Sequence, residues 1–71
     1  MKTKYKYIHF EQNGSGWLCK NNKSDGVLGK IEYYSGWRQY CYFPMVQAVY
    51  SDGCLDDIAD FLRQLNKKEG E

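Results

Sequence analysis

Apolar and polar positions alternate with a period of two through most of residues 5–50, and change to helical spacing from residue 52 onward. The densest stretch is Ile31–Phe43, which holds six of the twelve aromatic residues: Tyr33, Tyr34, Trp37, Tyr40, Tyr42 and Phe43. Its centre, Tyr34-Ser35-Gly36, signals a turn, because Gly36 takes positive φ without steric cost and Ser35 bonds to nearby backbone. The flanking aromatic and β-branched residues suit a pleated, half-buried surface. The stretch therefore predicts a β-hairpin whose first strand ends near Tyr33 and whose second runs from Trp37 to Phe43. Pro44 closes it, since it cannot donate to a central ladder. Alternation puts Trp37, Gln39, Cys41 and Phe43 on one face and Arg38, Tyr40 and Tyr42 on the other.

The rest of the chain extends this pattern. Tyr5–Phe10 predicts a strand with Ile8 and Phe10 on one face and Tyr5, Tyr7 and His9 on the other. Asn13-Gly14-Ser15-Gly16 is a turn, and Trp17–Lys20 a second strand. The polar loop Asn21–Gly26 ends in an Asp-Gly hairpin signal and leads into a third strand, Val27–Tyr33. There Val27, Ile31 and Tyr33 point inward, with Lys30 and Glu32 outward. Gly29 falls on the inward side, where it marks a bulge or a seat for a large neighbour. Val46–Tyr50 predicts a short fifth strand at a sheet edge. Ser51 or Asp52 caps a helix on which Cys54, Leu55, Ile58, Ala59, Phe61, Leu62 and Leu65 form one apolar stripe.

These elements predict an α+β fold: a four- to five-stranded antiparallel β-meander with one C-terminal α-helix packed on one face. The 71 residues fit a single small domain, with the sheet over about 4–50, the helix over about 52–67 and a frayed tail at 68–71.

Composition adds little to the fold but narrows the function. The charged share is 27% and the net charge is +1, far from the strong basicity of a dedicated nucleic-acid domain. Charge is uneven, with a balance of +4 over residues 1–43 and −3 over residues 44–71. The first segment lacks the apolar core of a signal peptide and no run is long enough to span a bilayer. Three cysteines, Cys19, Cys41 and Cys54, are an odd set at wide spacing. Together these point to a cytoplasmic protein with reduced thiols and no membrane association.

Candidate chemistry is sparse. Cys19, Cys41, Cys54 and His9 could supply four zinc ligands, but none forms the close pair that structural zinc sites use, so no metal or cofactor is expected. One histidine and no Gly-rich phosphate loop argue against an enzyme, and Asp56, Asp57 and Asp60 read as a solvated helix face. The outward face of the hairpin stands out. With the helix on the opposite side, Lys30, Arg38, Tyr40 and Tyr42 would form an exposed cation–aromatic platform. Tyr and Arg are enriched at protein-binding hot spots, and aromatic rings beside cations also stack nucleic-acid bases. The blander alternatives are a merely solvated sheet face or a contact with a second copy of the chain.

The pattern Leu28-Gly29-x-Ile31-x-Tyr33-Tyr34, Trp37-Arg38-Gln39-Tyr40-x-Tyr42-Phe43-Pro44 and Cys54-Leu55-x-Asp57-Ile58-x-x-Phe61 resembles a group of small uncharacterised proteins of phages and bacteria. The resemblance covers residues 28–61, about half the chain, and implies a short sheet followed by one helix. It brings no activity to any residue. It does imply a phage- or mobile-element-encoded accessory protein that binds a host component. The expected function is thus a small non-catalytic binding module whose partner is an unidentified host protein or a second copy of itself. Weak single-stranded nucleic-acid binding through the same face is the alternative.

Overall fold

A computed structural model describes the backbone of residues 1–70 and the side chains of residues 1–67. The frayed tail expected at 68–71 lies outside the described side chains, and Glu71 outside the described backbone. Four strands, β1 (Ile8–Asn13), β2 (Gly16–Asn21), β3 (Val27–Tyr34) and β4 (Gln39–Pro44), precede one helix, α1 (Asp52–Gly70). The strands form one antiparallel sheet in the order β1-β2-β3-β4, and α1 packs on one face of it. This is the α+β meander expected, with four strands.

Turn chemistry sets the order. Gly14, at φ 62, opens the two-residue turn that sets Asn13 opposite Gly16. In the β2–β3 loop, Asn21 Oδ1 accepts from the N–H groups of Lys23 and Ser24, a local turn that lets the chain reverse. The β2–β3 register then shifts between Cys19↔Gly29 and Lys20↔Val27, a bulge at Leu28. Gly29 itself is paired with Cys19, one residue after the bulge. Val27, expected inward, is turned outward opposite Lys20, because one extra residue exchanges the two faces of a strand.

The first strand starts later than its alternation implied. Tyr5 N–H donates to Ile8 O (2.9 Å) and Phe10 N–H to Thr3 O (2.8 Å), so the chain folds back through Lys6 and Tyr7. The reversal separates Tyr5 from Tyr7 and His9 and buries it edge-on against Phe10, with ring centroids 5.8 Å apart. Its hydroxyl donates to Asp60 Oδ2 on α1 (2.8 Å) and accepts from Gln64 Nε2 (3.0 Å).

Residues 46–50 do not form the fifth strand. The segment turns through Ala48 N–H to Met45 O (3.3 Å) and leaves Val46 98% exposed. The place such a strand would take beside Tyr40 is held instead by the Asn66 side chain of α1.

Ser51 caps α1, its Oγ accepting from Cys54 N–H (3.1 Å). Ile58, Phe61 and Leu65 are the buried ridge of the helix, while Leu55, expected in the stripe, is half exposed before α1 settles on the sheet. Phe61 is fully buried, stacked on Phe10 (4.1 Å, 2°) and edge-on to Trp17 (5.0 Å, 76°). Ile8, Cys19 and Ile31 complete the centre of the core.

Burial makes two tyrosines sensitive to alkali. The Tyr5 phenol is pushed well above its ordinary range by burial and then by the Asp60 carboxylate; the Tyr42 phenol is pushed up by burial and then by the Tyr50 hydroxyl. A raised folded-state pKa contributes stability that is whole below the unfolded value of about 10 and is lost as pH rises beyond it. Phenolate absorbance and circular dichroism followed together should show both rings ionising only as the fold melts. Ionisation of all seven tyrosines in an intact fold would contradict the burial described.

Candidate functional site

The β3–β4 hairpin determines which aromatic rings face water. Its loop is Ser35–Arg38, four residues closed by the pair Tyr34↔Gln39, and not the three-residue turn Tyr34–Gly36 expected from the sequence. One residue in the loop moves every β4 side chain to the opposite face. Ile31 now stands opposite Tyr42 and Tyr33 opposite Tyr40, and residues directly opposed across an antiparallel pair share a face. Tyr40 and Tyr42 therefore point to the helix side and pack against the core. Tyr42 Oη donates to Tyr50 Oη (3.0 Å), and Tyr50 Oη in turn donates to Leu28 O.

This corrects the platform proposed from alternation. Lys30, Arg38, Tyr40 and Tyr42 do not share a surface: Lys30 is on the outer face, Arg38 is in the loop, and both tyrosines are partly buried on the inner side. The residues that alternation placed against the helix, Trp37, Cys41 and Phe43, are the outer ones. Gly29 carried the signal that could have found this. A side chain there would collide with the Tyr42 ring, so the large neighbour that the glycine accommodates is Tyr42, which must then lie inside.

The outer face at β3–β4 carries an aromatic groove of about 310 Å³ lined by Tyr34, Trp37, Cys41 and Phe43, together with Tyr42, which lies between Cys41 and Phe43 along the strand although its ring packs on the inner side. Trp37 is 69% exposed. Tyr34 braces it edge-on (5.8 Å, 87°) and meets Phe43 in the same manner (6.3 Å, 75°). Lys30 Nζ lies 5.8 Å from the Phe43 ring centroid and 3.5 Å from Glu32 Oε2, in a half-exposed pair. The loop is held by Trp37 N–H to Tyr34 O (3.2 Å) and Arg38 N–H to Ser35 O (3.3 Å).

Arg38 closes that loop at φ 56, a conformation that costs a non-glycine residue about 1 kcal/mol. Arg38→Gly should therefore stabilise the fold by about 0.5–1 kcal/mol, read as a higher melting temperature. A lower one would mean that the guanidinium makes a stabilising contact.

The β1–β2 half of the outer face is polar. Asn22 donates through Nδ2 to Tyr5 O (2.9 Å) and Lys6 O (3.1 Å), which leaves its Oδ1 to accept from His9 Nδ1 (2.6 Å). His9 Nε2 faces Glu11 (3.1 Å), and Lys20 Nζ bridges Glu11 (3.1 Å) and Asp25 (3.8 Å). Lys20, and after it His9, hold the Glu11 carboxyl below its ordinary range. Ligand-type atoms of His9, Glu11 and Asp25 lie within 4.8 Å of one another, but the Lys20 ammonium already supplies the positive charge there, and a metal ion would have to displace it.

The cysteines do not join that cluster. Cys19 is in the core, where burial pushes its thiol up to about 11 and keeps it protonated and inert; Cys41 is on the outer face and Cys54 on α1. No helix among the described residues is long and apolar enough to cross a membrane. No family model, curated protein or solved structure matches this chain.

Proposed function

We propose that the protein is a small cytoplasmic binding module that acts through protein contacts on the outer face of its sheet, without catalysis or a cofactor. The observation that carries this reading is Trp37, 69% exposed yet held edge-on by Tyr34 above an aromatic groove. A braced indole loses little freedom when a partner covers it, and tryptophan and tyrosine dominate binding energy where they anchor an interface. The fitting partner is a host protein that presents an apolar or aromatic side chain to the groove. The resemblance of residues 28–61 to small phage and bacterial proteins supports an accessory role encoded by a phage or mobile element.

Charge weighs against the nucleic-acid alternative. The net charge is only +1 and Lys30 beside the groove has Glu32 next to it, whereas phosphate-driven binding rests on an excess of cations beside the stacking rings. Capture from host lysate on the immobilised protein, with Trp37→Ala alongside and with nuclease in parallel, tests the proposal. Protein retained by the parent, unaffected by nuclease and lost with Trp37→Ala, is the expected result. Capture that is the same for both, or that disappears with nuclease and falls steeply with salt, would overturn it.

A further inference from the structure

His9 is the only histidine in the chain, and both of its ring nitrogens face acceptors. Asn22 decides which nitrogen carries the proton. Its Nδ2 is spent on two main-chain carbonyls, Tyr5 O (2.9 Å) and Lys6 O (3.1 Å), so the atom turned to His9 Nδ1 at 2.6 Å is Oδ1, which only accepts. Nδ1 is therefore the donor, and in the neutral ring Nε2 is the bare nitrogen. That lone pair points at two carboxylates, with Glu11 Oε2 at 3.1 Å and Asp25 Oδ1 at 3.6 Å. Three acceptor atoms gathered this closely repel one another unless a cation lies among them. A proton on Nε2 bonds Glu11 but leaves Asp25 Oδ1, at 3.6 Å, beyond hydrogen-bond reach. A metal ion bonds all three.

We propose that His9 Nε2, Glu11 Oε2 and Asp25 Oδ1 are the protein ligands of a zinc site, with water in the fourth position. Zinc bonds imidazole nitrogen and carboxylate oxygen at about 2.0–2.2 Å, and tetrahedral angles then set its ligand atoms about 3.3–3.6 Å apart. The 3.1 Å and 3.6 Å from Nε2 to the two oxygens are close to that spacing already. A nitrogen in the set favours zinc over magnesium or calcium, which take oxygen alone. The Nδ1–H bond to Asn22 is the kind of contact that fixes the ring and the tautomer of a zinc-bound histidine. Lys20 is the competitor. Its ammonium bonds the other oxygen of each carboxylate, Glu11 Oε1 (3.1 Å) and Asp25 Oδ2 (3.8 Å), and the ion displaces it by the swing of one flexible side chain. Once bound, zinc ties β1 to the β2–β3 loop and, through Asn22, to the reversal of the N-terminal segment. It fastens the chain and performs no chemistry. The site is on the polar half of the outer face, so the inference stands whether or not the aromatic groove binds a host protein.

The test titrates the full chain with zinc chloride, its thiols kept reduced by a phosphine, and follows the His9 ring protons by nuclear magnetic resonance. The single histidine makes those signals unambiguous. They should shift and saturate at one equivalent of zinc, with a higher melting temperature, and should not move in magnesium chloride. Glu11→Gln and Asp25→Asn should each weaken zinc binding by about tenfold or more, read by calorimetry. Both positions are exposed, and asparagine tolerates the φ of 64 that Asp25 adopts, so the fold is spared. Lys20→Met should tighten binding about tenfold, because the ion no longer competes with an ammonium. Ring signals that stay in place in excess zinc would overturn the proposal, and that reading on the parent does not depend on any variant folding. Zinc affinity that is unchanged by Asp25→Asn, or that is lost with Cys41→Ser or Cys54→Ser, would overturn it as well.

Discussion

Replacing Phe61 by alanine is expected to cost about 3–5 kcal/mol and to leave most of the chain unfolded near room temperature. The ring is fully buried, parallel to Phe10 at 4.1 Å and edge-on to Trp17 at 5.0 Å, so its removal opens a cavity between the two layers. Neighbours cannot collapse into the space, because Ile8, Cys19 and Ile31 are anchored in strands. A domain of this size has total stability near the low end of the usual range of about 5–15 kcal/mol, so the loss is comparable to the whole. Thermal melting followed by circular dichroism checks this. A melt within about a degree or two of the parent would mean that α1 is not docked on β1 and β2 through this ring.

Trp37→Ala should do the reverse, removing function and sparing the fold. The indole is mostly exposed and touches Tyr34 and the groove, so truncation should change stability by no more than about 0.5 kcal/mol. Partner affinity should fall by at least about 2 kcal/mol, roughly thirtyfold, because an aromatic anchor at the centre of a contact dominates its energy. Tyr42→Ala is the control, in the same hairpin but on the opposite face of the sheet. It should cost on the order of 3 kcal/mol of stability, since it empties the space over Gly29 and takes away the Tyr50 hydroxyl's partner. If Trp37→Ala unfolds the protein and Tyr42→Ala does not, the faces are the other way round.

The elements and their order were legible in the chain because each rests on a local signal. Gly14 opens one hairpin, the polar loop Asn21–Gly26 separates the next two strands, Ser51 caps the helix, and Ile58, Phe61 and Leu65 repeat at helical spacing. The face of β4 was not legible from alternation alone. Alternation gives two faces but does not say which is inside, and that depends on whether the β3–β4 loop holds three residues or four. The longer loop requires Arg38 at positive φ, which its residue type does not advertise. The missing fifth strand has a tertiary cause as well. Val46-Gln47-Ala48-Val49-Tyr50 contains strand-forming residues, but the adjacent edge is held at Tyr40 by Asn66, many residues further along the chain. Tyr5 illustrates the same limit, since only the contact with Asp60 and Phe10 shows that the chain turns back before β1.

The functional reading depends on β4 presenting Cys41 and Phe43, beside Trp37 of the hairpin loop, to one side and Tyr40 and Tyr42 to the other. A nuclear Overhauser spectrum of the aromatic protons tests that assignment most directly. The account predicts cross-peaks from the Tyr42 ring to Tyr50 and Ile31, and from the Phe43 ring to Tyr34 and Lys30, with none from Phe43 to the helix. Cross-peaks joining Phe43 or Trp37 to Ile58 or Phe61, with Tyr42 seeing only the Lys30 side of the sheet, would contradict it.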